Sequence, residues 1–154
     1  MARSHFLVAE FDGVPAASLC ALPAAGIGVA ARAAIAEVAG QTGLNSSELA
    51  AIFQRVAYSS KCWVQGSDSE WLLEHAATLP AYQGRGLMQA LIEHALDKGR
   101  AAGFSRASIS FLIGNEPAER CYARAGFAFA EEKHDPAFQA LTGAPGFRRF
   151  ARAI

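Results

Sequence analysis

Apolar residues recur at two spacings along this chain, and the switches between them mark its elements. Phe6 to Phe11 and Ala16 to Ala21 are short β-rich runs. Asp12-Gly13 between them is a hairpin turn signal, with Val14-Pro15 leading out. Ile27 to Val38 is alanine-rich and helix-prone, with Gly40 as its stop. Asn45 or Ser46 caps a second helix to about Ala57, with Glu48 in its first turn. Its apolar positions Leu49, Ile52, Phe53 and Val56 fall on one face. Lys61 to Ser69 reads as a loop turning at Gly66-Ser67-Asp68, and Glu70 to Leu79 as a strand. Leu87, Met88, Leu91, Ile92 and Leu96 then return at helical spacing to about Ala102. Arg106 to Ile113 and Phe127 to Glu132 are further strands, His134 to Pro145 is irregular with a short helical turn, and Gly146 to Arg152 closes the chain as a strand. The alternation predicts an α+β fold, three-layered, on a mixed, mostly antiparallel sheet. Its parallel pair is Glu70–Leu79 with Arg106–Ile113, joined by the helix after Gln83.

Composition narrows the classes. The 154 residues are read as a single domain, 52% apolar and 18% charged, which opposes disorder. Formal net charge is zero and no basic block stands out, so nucleic acid is not an expected partner. No stretch is long and apolar enough to span a membrane. The start from Met1 to Val8 is faintly signal-like, but Glu10, Asp12, Gly13 and Pro15 break it early. Cys20, Cys62 and Cys121 are odd in number and form no Cys-x-x-Cys, as reduced, mostly buried thiols of a cytoplasmic protein would. His5, His94 and His134 are scattered without ligand spacing, so no metal is expected.

The chemistry concentrates between Thr78 and Gln89. A strand runs into Gln83-Gly84-Arg85-Gly86-Leu87-Met88, and a helix leaves it. The first backbone N–H groups of that helix lack intrahelical partners, and the helix dipole favours an anion over them. Gly84 and Gly86 let backbone approach a ligand, and Arg85 adds a mobile positive charge. The segment reads as a phosphate or diphosphate seat. It is not a P-loop, having no Gly-Lys-Ser/Thr, and Gln89 stands where a dinucleotide fingerprint needs its third glycine.

The loop resembles the acetyl-CoA diphosphate loop of the GNAT superfamily of N-acetyltransferases, Gln/Arg-x-x-Gly-x-Gly/Ala, here Gln83-x-x-Gly86-x-Met88. Met88 departs from the small last residue. Downstream, Asn115 to Phe127 resembles the same family's Asn-x-x-Ala-x-x-x-Tyr-x-x-x-Gly-Phe helix, with Asn115 as cap, Pro117 in the first turn and Gly126 as stop. The resemblance spans roughly Trp71 to Glu132. It implies an acetyl-CoA-binding core over 70–132 in which the parallel strands splay apart. It also implies that the chain begins at the family's second strand, without the usual first strand and two helices. A helical insertion over 22–60 stands where the family has little; it either covers the sheet, replaces the missing helices as a wall of the acceptor site, or packs against a partner chain, a homodimer among the options.

Carried over residue by residue, the resemblance implies N-acetyl transfer from acetyl-CoA to a primary amine, small-molecule or peptide, by direct attack. The backbone of Ala76, Ala77 and Thr78 would polarise the thioester and pair with the pantetheine arm. Gln83, Gly84, Arg85, Gly86, Leu87, Met88 and Gln89 would hold the diphosphate, and Asn115 would bond the arm or cap its helix. Tyr122 would protonate the departing thiolate. For the base there are two candidates: Glu74 aligns with a carboxylate common in the family, and His75 has the better unperturbed pKa near neutrality. Strand alternation lets at most one face the cleft unless a bulge intervenes. Cys121 is expected to point elsewhere on its helix. Trp63, Trp71 and Phe138 are candidates for an apolar acceptor wall, with core the commoner use. The competing reading is a CoA-binding module that transfers nothing, or the C-terminal part of a larger or paired enzyme.

Overall fold

The structure is a computed structural model and describes residues 5–64 and 66–154. Met1 to Ser4, the start of the signal-like run, and Gln65 in the loop before the third strand lie outside the described residues. The elements follow in the order β1 (Phe6–Phe11), β2 (Val14–Pro23), α1 (Ile27–Thr42), α2 (Ser46–Cys62), β3 (Trp71–Thr78), α3 (Leu87–Ala101), β4 (Arg106–Leu112), α4 (Glu116–Arg124), β5 (Ala128–His134), α5 (Pro136–Thr142) and β6 (Gly146–Ala153). A short 3₁₀ turn, Pro80–Tyr82, sits between β3 and α3. The strands form one open sheet in the order β1-β2-β3-β4-β6-β5, mixed and mostly antiparallel as the pattern predicts.

The middle of that sheet positions everything else. β3 and β4 are the parallel pair, and they pair only where Trp71, Leu72 and Leu73 face Ala107, Ser108 and Ile109. Past Leu73 the two strands part, and each stays bonded to its own side: β3 to β2, β4 to β6. The sheet is thus two antiparallel halves zipped together over three residue pairs and open beyond them.

One face of the sheet carries the main core. Leu19, Leu73, Ile109 and Phe150 point into it and meet Ile92, Ala95 and Leu96 of α3 and Tyr122 of α4. α3 lies close because Gly99 has no side chain: a Cβ there would come within 2.8 Å of the Trp71 ring. The indole N–H of Trp71 donates to the Ala95 carbonyl at 2.9 Å, so this tryptophan is core. A smaller cluster of Cys20, Leu22, Ala24 and Leu72, with Ile27 against it, sits apart.

The helical segment differs from its sequence reading in two ways. α1 runs through Gly40 to Thr42, because the residue with left-handed backbone that ends it is Gly43 (φ 72°). α2 starts at a full capping box between Asn45 and Glu48, as its pattern indicates, but continues past Ala57 to Cys62. Packing holds the extra turn: Tyr58 meets Phe138 of α5 at 5.7 Å, and Cys62 is buried. Nor does the pair blanket the sheet. Val29, Val38, Ile52, Phe53 and Val56 are all exposed, and among the described side chains of both helices only Ala39 and Cys62 are buried. The ends of the pair, rather than its length, reach the sheet.

Glu70, 4% exposed just ahead of β3, locks the zipped end. It accepts from Arg149 of β6 at 3.1 Å and from Arg106 of β4 at 3.0 Å. Glu70→Ala leaves Arg149 with Glu131 alone, at 3.6 Å. Losing one partner of a buried ion pair costs about 3 kcal/mol. Denaturant unfolding of the variant reads this directly, and a loss well under about 1 kcal/mol would show that the bridge behaves as a solvated one.

Candidate active site

Where β3 and β4 part, a cleft of about 720 Å³ opens between the end of β3, the loop into α3, and α4. Gly84 and Gly86 both take left-handed backbone (φ 76° and 78°). A Cβ at either would touch nothing within 4 Å, so the glycines answer to the turn, and the space above the loop is open. Gly86 is the N-cap of α3 and offers no side chain to it. The first α-helical bond runs from Ala90 N–H to Gly86, which leaves the amides of Leu87, Met88 and Gln89 facing the helix end without intrahelical acceptors. The charge around them is positive. Arg85 is less mobile than its sequence suggests: its guanidinium lies 4.7 Å from the Phe11 ring centre and 5.5 Å from that of Tyr82. Arg120 and Arg124 of α4 line the same cleft. Sequence reasoning missed both, though their spacing of four on a predicted helix was the available signal. Gln83 and Gly84 line the cleft as well, while Leu87 and Met88 also pack against the core. The Gln89 side chain donates to the Cys121 carbonyl at 2.7 Å and so ties α3 to α4.

The second motif meets the first across this cleft. Asn115 caps α4, accepting from the Ala118 amide at 3.3 Å, and lines the cleft. Tyr122 is 6% exposed, packs edge-on against Phe111 at 5.4 Å and reaches the same space. Burial, helped by Cys121, pushes its phenol up to about 12. Among the described residues its hydroxyl has no hydrogen-bond partner. Cys121 corrects the sequence reading: it lines the cleft too, because Ala118, Cys121 and Tyr122 stand at i, i+3 and i+4 on one face of α4. Burial raises its thiol above the usual range, so it is held as a thiol.

β3 carries the decisive irregularity. Cys20 pairs with Glu74 and Ser18 with Ala77, so His75 and Ala76 together oppose Leu19. His75 sits at φ 52°, left-handed backbone that a non-glycine residue adopts at a cost. This is a β-bulge, and it breaks the alternation that would set Glu74 and His75 on opposite faces. Ala76, Ala77 and Thr78 line the large cleft. Glu74 and His75 both line a second chamber of about 270 Å³, with Trp63 and Phe147 among its walls. Their side chains lie 3.9 Å apart, Glu74 17% exposed and His75 56%. Burial raises the Glu74 carboxyl above its ordinary value, and His75 offsets part of the rise. Of the three aromatic wall candidates only Trp63 lines the chamber; Trp71 and Phe138 are buried in cores. Phe147 was missed, because a strand reading alone does not say which face of β6 meets the opening.

Of the remaining histidines, His94 is exposed on α3 and His134 bonds Glu132 at 3.0 Å. Among the described residues no cluster suits a metal ion, and no helix is long and apolar enough to cross a membrane. The arrangement places a bare helix N-terminus and a protonated phenol on one side of a bulged strand edge, and a half-buried carboxylate on the other.

The profile described as "Acetyltransferase (GNAT) family" matches residues 1–127. No curated protein matches. Among solved structures, an N-acetyltransferase from Staphylococcus aureus superposes with a TM-score of 0.61 at 20% identity, covering 97% of this chain and 70% of that one. SsHAT superposes with a TM-score of 0.62 at 23% identity, covering 92% and 68%. A polyamine N-acetyltransferase from Drosophila melanogaster, described as forming N-acetylagmatine, gives 0.56 at 16% identity, covering 97% and 75%. At these identities the superpositions speak for the fold.

Proposed function

We propose that this chain, which belongs to the GNAT acetyltransferase family, transfers the acetyl group of acetyl-CoA to a primary amine by direct attack within a ternary complex. One observation carries the reading. The uncapped N-terminus of α3, the β3 edge past the bulge and Tyr122 all border one cleft.

The residues present fit acetyl-CoA. Three amides at a helix N-terminus, with Arg85, Arg120 and Arg124 around them, suit a diphosphate. The β3 edge facing β4 has no strand partner beyond Leu73, so backbone of Ala76, Ala77 and Thr78 is open to an extended arm and to a thioester oxygen. The co-substrate supplies an activated acetyl group and a thiol leaving group. The protein's own part is to manage two protons. Tyr122, kept protonated by burial, is the donor on the cleft side. Glu74 is the acceptor on the chamber side: its raised carboxyl lies nearer neutrality than an ordinary glutamate and takes the proton from an ammonium. Cys121, held as a thiol, is a poor nucleophile, which favours direct attack over an acyl-enzyme.

Thiol release from acetyl-CoA against a panel of amines tests the reading. Transfer to at least one amine is expected, and its rate falls as pH drops through the raised Glu74 range, above the usual carboxylate value of 4.5. Glu74→Gln removes that acid limb and lowers kcat/KM about a hundredfold. Silence with every amine defeats the proposal; an unchanged limb in Glu74→Gln removes Glu74 as the base.

A further inference from the structure

The chamber beyond the bulge has its own chemistry. Its volume is about 270 Å³, on the order of nine waters' worth of liquid, which suits an acceptor of modest size. Ile27, from the start of α1, and Trp63 and Val64, just past α2, supply its apolar wall together with Phe147 of β6. The Trp63 and Phe147 rings meet edge-on at 5.6 Å, a rigid aromatic corner. The helical insertion therefore serves this site through its two ends, although its length is exposed.

The polar content is small and one-sided. Glu74 is the only carboxylate among the described lining residues, and His75 stands beside it. The Ser110 hydroxyl already donates to the Val64 carbonyl at 3.3 Å. Behind the aromatic corner a cation is in place: Lys133 donates its ammonium to the Trp63 carbonyl at 3.2 Å. One positive charge thus finds a match at Glu74. A second would lie against apolar walls with no further carboxylate among the described lining residues, and the nearby Lys133 is already paired with Glu131 at 3.8 Å.

We infer that this chamber selects a small primary amine with a single positive charge and an aromatic or bulky apolar body, and turns away polycationic amines. The inference rests on the transferase reading, because that reading makes the chamber the acceptor side. Calorimetry on protein saturated with CoA tests it without turnover, using 2-phenylethylamine, agmatine and spermidine as probes. 2-Phenylethylamine binds at least about tenfold more tightly than either polycation. Equal or tighter binding of agmatine or spermidine overturns the inference. Trp63→Ala weakens 2-phenylethylamine about tenfold and leaves CoA affinity intact; undiminished amine affinity in that variant also overturns it. Should Trp63→Ala lose its fold, seen as lost CoA binding, Trp63→Leu keeps the wall apolar and gives the same reading, weakened binding supporting and unchanged binding overturning. The two readings fail separately. Amines that bind in the expected order but never accept acetyl sink the transferase; transfer confined to polyamines sinks the selectivity.

Discussion

Gly86→Glu abolishes CoA binding: titration of the variant shows affinity down by about a hundredfold or more. Three effects act together. Gly86 holds φ 78°, and a side chain in left-handed backbone costs about 1–2 kcal/mol. The new carboxylate stands at the N-terminus of α3, where it satisfies the amides a diphosphate would otherwise take. It also brings a negative charge to the spot where two phosphates need a positive one. Gly86→Ala separates these terms. A Cβ at this position meets nothing within 4 Å, so alanine adds backbone strain alone and loses affinity only modestly. If Gly86→Glu still holds CoA, the diphosphate lies elsewhere, and the cleft loses its assignment.

The contrast between the two sides of the site shows what a sequence can carry. The glycine turn into α3 was legible because its requirements are local: a turn with left-handed backbone needs glycine, and a bare helix end needs nothing but a missing cap. The spacing of Asn115 and Tyr122 was legible because one helix carries both. The mixed sheet and its parallel pair followed from alternation and from the helix joining β3 to β4. The chamber beyond the bulge was not legible, and the reasons are equally physical. Whether Glu74 and His75 share a face depends on an extra residue at His75 against Leu19, a register event involving two strands more than fifty residues apart. Trp63, just past α2, meets Phe147 of β6, a contact no local pattern encodes. Cys121 was misplaced although periodicity puts it with Ala118 and Tyr122 on one face of α4, because the helix alone does not say that the cleft meets that face. The apolar stripe of α2, which could have covered the sheet, is largely exposed, since amphipathicity records a face without naming what covers it.

Tyr122→Phe lowers turnover by about tenfold or more while CoA binds as before. The substitution is well posed because packing and chemistry reside in different atoms. The ring is held edge-on to Phe111 at 5.4 Å in the main core, and phenylalanine reproduces that contact. The hydroxyl alone is lost, and it bonds to none of the described residues, so no buried partner is orphaned and stability stays close to that of the wild type. What remains is the proton. With its pKa at about 12, the phenol is a neutral donor across the whole working range, able to hydrogen-bond a departing sulfur without first ionising. The loss should therefore appear in kcat, with the KM for acetyl-CoA unmoved and the acid limb assigned to Glu74 still in place. A second comparison sharpens the test: an acetyl thioester whose thiol is more acidic than that of CoA needs less help in leaving, so the deficit of Tyr122→Phe shrinks with it. Turnover that is unchanged with acetyl-CoA removes Tyr122 from the mechanism, and a deficit of the same size with both thioesters shows that its hydroxyl acts elsewhere than on the leaving group.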